Sequence, residues 1–487
     1  MREVKRNVIL DELARLRQLR FIRPPLKPRN VLWFLISTGL AVVAALFLRG
    51  TSMPQEHVYM TGIFVLAALL WVTEALPLFA TALLIVGLEI ILLANPGGWS
   101  GLGFQDAPSP DYRIFLAPAA DPVIILFFGG FLLARAAVKT GIDQALAGVI
   151  LRLFRSRPRL VLLGMMLITA VFSMFMSNTA TTAMMITLVL PMLTQLPKGD
   201  RFRKALVLSV PFAANIGGMG TPISSPPNAV AVGFLTSAGY QISFLDWMVI
   251  AVPLVGGLLL VAWLLLWMLF RPDAVDFHLE PTAHTIGGRG LYVLVVLIAT
   301  VGLWMTDQLH GLPAAVVALL PAVAFTATGL LDRGDVNSLE WNILILIAGG
   351  IALGVGMQQT GLDQVLAEAV PAGSGLTLGA LVLATLLLST FMSNTAAANL
   401  LLPIGISFAA ATSTAAGPGA IQLGISIALA ASVSMALPVS TPPNAIAYAS
   451  GEITGRDFAL AGVIIGLLAA LLIVALGGLV IAFWLGP

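Results

Sequence analysis

The six residues Phe175-Met176-Ser177-Asn178-Thr179-Ala180 stand between two apolar runs, 160–176 and 183–196. The same pattern returns as Phe391-Met392-Ser393-Asn394-Thr395-Ala396 between runs 376–392 and 396–414. Each is a polar tip at the bend of an apolar hairpin. Arg152, Arg155, Arg157 and Arg159 precede the first hairpin, and Lys198, Arg201, Arg203 and Lys204 follow it. Lysine and arginine collect on the cytoplasmic side of membrane segments, so both outer ends belong there. Two full spans would also bring the chain back, but the runs are short and the tip would emerge with no loop around it. A re-entrant hairpin that dips to mid-membrane and returns fits better. The flanks of the second hairpin, 361–375 and 415–420, hold no lysine or arginine. Counting spans puts them outside, so the second hairpin is expected to enter from the opposite face.

Composition agrees with a bilayer as solvent. Of the 487 residues, 59% are hydrophobic and 10% charged, and the mean hydropathy is +0.99. That is more apolar surface than one soluble core buries. A net charge of +2, with its basic residues in short flanks of apolar segments, gives no nucleic-acid stripe. No cysteine is present and the four histidines are scattered, which excludes disulfides and thiolate metal sites and leaves no histidine metal spacing. The first apolar run, 31–48, has no cleavage site behind it and reads as an anchor. Ahead of it, Ile9, Leu10, Leu13, Leu16 and Leu19 follow helical spacing among basic residues until Pro24, Pro25 and Pro28. Residues 1–30 are expected to lie on the cytoplasmic headgroups as an amphipathic segment, the alternative being a solvated basic arm.

The tips belong to a longer repeat. Phe127-Phe128-Gly129-Gly130 and Thr140-Gly141-Ile142-Asp143-Gln144 return 220 residues later as Ile347-Ala348-Gly349-Gly350 and Thr360-Gly361-Leu362-Asp363-Gln364. The tips return at 216, and so does Ser225-Pro226-Pro227-Asn228-Ala229, as Thr441-Pro442-Pro443-Asn444-Ala445. Three collinear matches mark a true internal repeat. An odd number of crossings separates the copies, so they are expected to be inverted, as in secondary transporters whose site lies at the repeat interface.

Ser, Asn and Thr at a tip can cap the returning helix, whose free N–H groups and dipole attract an anion. Gly217, Gly218 and Gly220 with Pro222, Pro226 and Pro227 cannot continue a helix, while proline suits the first turn of the one that restarts. Four helix N-termini could thus converge on one anion. Side-chain oxygens and unwound carbonyls at the same breaks are hard, uncharged ligands suited to sodium. Ser173 and Ser389 each lie four residues before the tip serine, on the same helical face. The competing possibility is that such residues only hydrogen-bond across a helix interface or permit a kink; matched pairs in register favour a site. The glycine pairs at 129 and 349 are expected to serve packing. Glu74 is expected to be a structural partner of a backbone or basic group, and Asp143 and Asp363 to be solvated or capping carboxylates.

At these residues, and at Thr73-Glu74-Ala75-Leu76-Pro77-Leu78, the chain resembles the divalent-anion:sodium symporter family over about residues 59–485. The resemblance implies an all-α polytopic homodimer of two inverted repeats, each protomer split into a scaffold and a transport domain that moves as an elevator. Scaffold spans would occupy 31–140 and 271–357. The transport domain would comprise 141–270, with hairpin 160–196 and broken helix 205–238, and 358–487, with hairpin 376–414 and broken helix 421–450. At least two sodium ions are implied. Carried over by position, one would take Ser173, Ser177, Asn178 and a carbonyl near Ser224, and the other Ser389, Met392, Asn394 and a carbonyl near Ser440. Substrate carboxylates would meet Asn178, Thr179, Ser225, Asn394, Thr395, Thr441 and Pro442. The expected function is sodium-coupled transport of a small, succinate-like C4 dicarboxylate across the bacterial inner membrane. A sodium-independent exchanger or a sulfate carrier on the same scaffold is the alternative. With no Gly-Lys dipeptide there is no Walker A loop, and no nucleophile has a paired base, so neither a pump nor an enzyme is expected.

Overall fold

The computed structural model describes residues 28–485, apart from 52, 106, 155–156, 273–285, 369–373 and 412–418. The amphipathic reading of the N-terminal segment falls almost wholly outside the described residues. Those that are described form helices and loops with no strand among them. Eight of the helices are long and apolar enough to cross a membrane.

The described residues open with α1 (Pro28–Arg49), α2 (Gln55–Thr73) and α3 (Leu78–Glu89). The last runs into a π turn, Ile90–Ala94, and stops where Asn95 takes a left-handed conformation. Next come α4 (Pro122–Thr140) and α5 (Ile142–Leu153), separated by Gly141 at φ +68°. Only glycine adopts that conformation without strain, which explains why the Thr-Gly of each repeat marks a helix end. The first hairpin is α6 (Pro158–Phe175) and α7 (Asn178–Leu193). At 18 and 16 residues its arms span roughly 27 and 24 Å, at the short limit for crossing a hydrocarbon core.

The broken span then appears as α8 (Arg201–Gly217) and α9 (Pro226–Ser237), with residues 218–225 unwound between them. Two long spans, α10 (Phe244–Leu269) and α11 (Gly288–Met305), lead to α12 (Leu319–Ala327) and α13 (Trp341–Thr360). The second copy repeats the order as α14 (Leu362–Glu368), α15 (Ser374–Phe391), α16 (Asn394–Ala411), α17 (Ala420–Ser432) and α18 (Pro442–Tyr448). α19 (Gly455–Leu472) follows. Each Pro-Pro-Asn sits in the first turn of the restarted helix, where the missing N–H of proline costs nothing.

Glycine sets how closely the spans approach. A Cβ on Gly129 would come within 2.3 Å of the Ala318 carbonyl oxygen, and one on Gly349 within 2.4 Å of Ala82 Cβ. Both pairs are packing contacts, which lets α4 and α13 lie against the 314–327 and α3 helices. Two expectations change. Glu74 ends α2 at φ +48°, is exposed, and has no hydrogen-bond or ion-pair partner among the described residues, so it is not a structural partner. Asp143 is buried rather than solvated, and it accepts from Gln144 N at 2.9 Å in the first turn of its helix, as a capping carboxylate would; Asp363 accepts a hydrogen bond from Ser407 Oγ at 3.2 Å.

Ion pairs fasten one edge of the bundle. Arg203 Nε donates to Glu452 at 2.9 Å, and Lys204 reaches both oxygens of Asp457 at 3.0 Å. Arg135 Nε donates to Asp335 at 3.0 Å, and Lys139 bonds both Asp332, at 3.2 Å, and Asp335. Burial pushes the Asp335 carboxyl upward, but Lys139, the Asp332 backbone N–H and Arg135 together outweigh it and hold the group down at about 2, well below the usual carboxylate range.

Candidate functional site

Both tips fold as capped turns. Ser177 Oγ accepts from Ala180 N at 3.2 Å and Ser393 Oγ from Ala396 N at 3.2 Å, so each serine caps the returning arm as its position predicts. Behind the caps the copies match bond for bond. Ser173 Oγ lies 2.7 Å from Asn178 Oδ1 and 2.7 Å from the Ala214 carbonyl, while Ser389 Oγ lies 2.8 Å from Asn394 Oδ1 and 2.8 Å from the Ala431 carbonyl. One hydroxyl proton gives only one of two acceptors a full hydrogen bond, or splits weakly between them. Either the asparagine turns its amide nitrogen inward or a cation shares the three oxygens.

The Pro-Pro-Asn asparagines hold the unwound segments in shape. Asn228 Nδ2 donates to the carbonyls of Gly218 at 2.9 Å and Thr221 at 2.8 Å, and Asn444 Nδ2 to those of Met435 at 3.1 Å and Leu437 at 2.8 Å. Both are fully buried, so these bonds satisfy carbonyls that the break would otherwise orphan. One substitution is compensated. In the first copy Thr221 donates to the Met174 carbonyl; Leu437 at the equivalent place has no hydroxyl, and Ser440 reaches the Thr390 carbonyl instead at 2.9 Å. The Ser225/Thr441 difference also has a structural sense, since Thr441 caps Asn444 N at 3.2 Å whereas Ser225 Oγ pairs with Ser432 Oγ at 3.1 Å.

Tips and breaks meet around one cavity of about 440 Å³, within the size range of small-molecule sites. Ser177, Asn178, Thr179, Ser224 and Ser225 line it from the first copy, and Ser393, Asn394, Thr395, Ser440, Thr441 and Pro442 from the second. All seven expected substrate residues therefore face one space. Ser173 and Ser389 do not reach it; they lie one layer behind, bonded to the two tip asparagines. Met392 is buried in a separate apolar cluster with Trp71 and Ala82. Gly218 is where the break meets the first tip: a Cβ there would come within 2.4 Å of the Asn178 amide.

Four contributors escaped the sequence. Asn215, on α8, lines the cavity and donates to Thr441 Oγ1 at 3.2 Å and Asn444 Oδ1 at 3.1 Å. Ser432, at the matching end of α17, bonds Ser225 and, at 3.4 Å, Asn228 Oδ1. Each half thus reaches across to the break of the other. The remaining wall comes from Pro77, Leu78, Phe79, Phe127 and Phe131, and from Glu340 and Asn342 at the start of α13. Residue order identifies Asn215 and Ser432 only once the repeat is aligned with a one-residue shift, and nothing in a single polar residue ahead of a span marks Glu340 or Asn342.

Two unwound breaks and two hairpin tips that line one cavity inside a bundle of membrane helices define a transporter rather than an enzyme. The chain belongs to the CitMHS citrate transporter family, whose match covers residues 68–419 and 301–487. An uncharacterised transporter of Haemophilus influenzae is 32% identical over 459 residues, covering 89% of this chain and 94% of that one. The sodium-dependent dicarboxylate transporter SdcS of Staphylococcus aureus is 30% identical over 499 residues, covering 93% and 91%. Among solved structures, the YdaH transporter of Alcanivorax borkumensis superposes with a TM-score of 0.57 at 16% identity, over 88% of this chain and all of that one. MtrF of Neisseria gonorrhoeae gives 0.56 at 11% identity, over 95% and 97%. These two share the fold. The protein is a multi-pass membrane transporter.

Proposed function

We propose that the chain couples sodium to the movement of a small C4 dicarboxylate, of the succinate type, across the bacterial plasma membrane. The observation that carries this reading is the paired oxygen cage behind the tips, Ser173–Asn178–Ala214 and Ser389–Asn394–Ala431. With the asparagine oxygens turned inward, each offers a hydroxyl, an amide oxygen and a backbone carbonyl, a donor set that fits a hard monovalent cation. Ser177, Ser224, Met392 and Ser440 are the further candidates for completing the two shells.

The cavity beside the cages suits a dianion. Its lining, among the described residues, includes no lysine, arginine or histidine. Capped helix starts at Asn178 and Asn394 supply partial positive charge, and Thr179 and Thr395 supply hydroxyl donors. A dianion in a low-dielectric midplane would be very costly uncompensated, so cations travel with it. Two sodium ions would make the loaded carrier neutral, and a third would make the cycle electrogenic. The cavity is walled by the 77–79 turn and the start of α13, both on the cytoplasmic side by the basic-flank orientation, so this conformation is inward-facing. An elevator movement of the two hairpin halves against the 31–140 and 271–357 spans, within a homodimer, follows from the family resemblance.

The decisive measurement is succinate binding to purified protein in sodium and in choline buffer. Strong binding in sodium only is expected. Equal binding in both would establish the exchanger instead, and sulfate displacing succinate at comparable concentration would point to the sulfate carrier.

A further inference from the structure

Glu340 is the one titratable side chain among the residues lining the cavity. It precedes the first turn of α13 yet makes no capping bond, and it has no ion pair or hydrogen-bond partner for its carboxylate among the described residues. Its neighbours Asn342, Ile343 and Leu346 line the same wall, opposite the tips and breaks. The charged groups of the surrounding elements are paired elsewhere or exposed. Arg135 and Lys139 of α4 are engaged with Asp335 and Asp332, while Arg333 and Glu74 are exposed. An uncompensated carboxylate therefore shares a small, partly desolvated space with whatever anion the tips bind.

Resting on the symport reading above, we propose that Glu340 sets charge selectivity: ionised, it opposes a third carboxylate in the cavity, so that the chain accepts dianions and rejects tricarboxylate trianions. A dianion held between the two tips satisfies the helix starts and leaves nothing over. A citrate-like trianion must place its extra carboxylate off the tips, toward the remaining wall, whose one carboxylate among the described residues is Glu340. At a separation of several ångströms in an environment of intermediate polarity, two like charges repel enough to change affinity by at least an order of magnitude. Burial pushes the Glu340 carboxyl upward from its ordinary value, and a bound anion would push it further. Protonation removes the repulsion. Affinity for a fully ionised anion should thus rise as pH falls toward that raised value and weaken as pH rises through it.

The test uses the full-length protein in detergent or nanodiscs, with succinate and citrate titrated in sodium buffer at about pH 8, where every ligand carboxylate is ionised. Glu340→Gln should lower the ratio of citrate to succinate dissociation constants about tenfold or more, a factor worth 1.4 kcal/mol, while Glu340→Asp keeps the wild-type ratio. An unchanged ratio in the glutamine variant, with succinate still bound, overturns this proposal alone. A wild type that binds neither acid in sodium overturns the symport reading and this proposal with it. Should Glu340→Gln fail to fold, the wild type decides: at about pH 8, where both acids are fully ionised, citrate should bind about tenfold or more weakly than succinate. Equal dissociation constants for the two acids overturn the proposal.

Discussion

Asn178 and Asn394 each turn one amide toward a buried serine while presenting their own position to the cavity. On the symport reading this places one residue between cation and substrate. Asn178→Ala and Asn394→Ala should therefore raise the sodium concentration for half-maximal uptake as well as weaken succinate, which a sodium titration of transport would check. On the same reading Thr179 and Thr395, which line the cavity, would face the substrate alone. Replacing either by alanine should weaken succinate binding by about 1.5 to 3 kcal/mol, the loss of a hydrogen bond to a charged group, with the sodium dependence unchanged. Gly218→Ala acts by geometry, since its Cβ would displace the Asn178 amide; transport should fall about tenfold or more while the protein still expresses, and normal uptake would show that the tip can yield. The tips were legible in the sequence because identical strings of six around a polar Ser-Asn-Thr, repeated in register inside apolar runs, hardly arise by chance. Glu340, Asn342, Asn215 and Ser432 were not, because what makes each matter is a neighbour far away along the chain.

At the scale of elements, hydropathy made the spans legible and proline with glycine marked the breaks, since burial in lipid and missing N–H groups are properties of local sequence. It could not show the π turn at 90–94 or the left-handed Glu74, which depend on how α2 and α3 close against α13. The hairpin assignment makes a labelling prediction. A cysteine at Arg157 or Lys198 should react with an impermeant thiol reagent only from the cytoplasmic side, and one at Gly373 or Gly417, which lie outside the described residues, only from the other. Labelling of both hairpins from one face would exclude opposed entry. The tie between α4 and the Asp332–Asp335 turn carries a pH dependence of known sign. Because the folded Asp335 carboxyl sits at about 2, below its ordinary value, its ion pairs stabilise the protein above about pH 4 and fade as pH falls toward that lower value. Asp335→Asn should melt at a lower temperature at pH 7, and the gap to wild type should close in acid.

For the whole molecule, the repeat means that the caps, the serine–asparagine cages and the asparagine braces at the centre each occur twice. The two cross-links differ from the rest in joining the halves: Asn215 holds the second break through Thr441 and Asn444, and Ser432 holds the first through Ser225 and Asn228. Neither break can shift without its counterpart feeling the change. If each cage takes an ion, filling one stiffens the backbone of both, and the second ion enters a cage already shaped for it. Sodium activation of succinate binding should then be cooperative, with a Hill coefficient above one, and Asn215→Ala should bring it toward one while leaving both cages present. Uptake in that variant would depend on sodium hyperbolically rather than sigmoidally, and the carrier would lose its ability to respond sharply to a modest change in the sodium gradient.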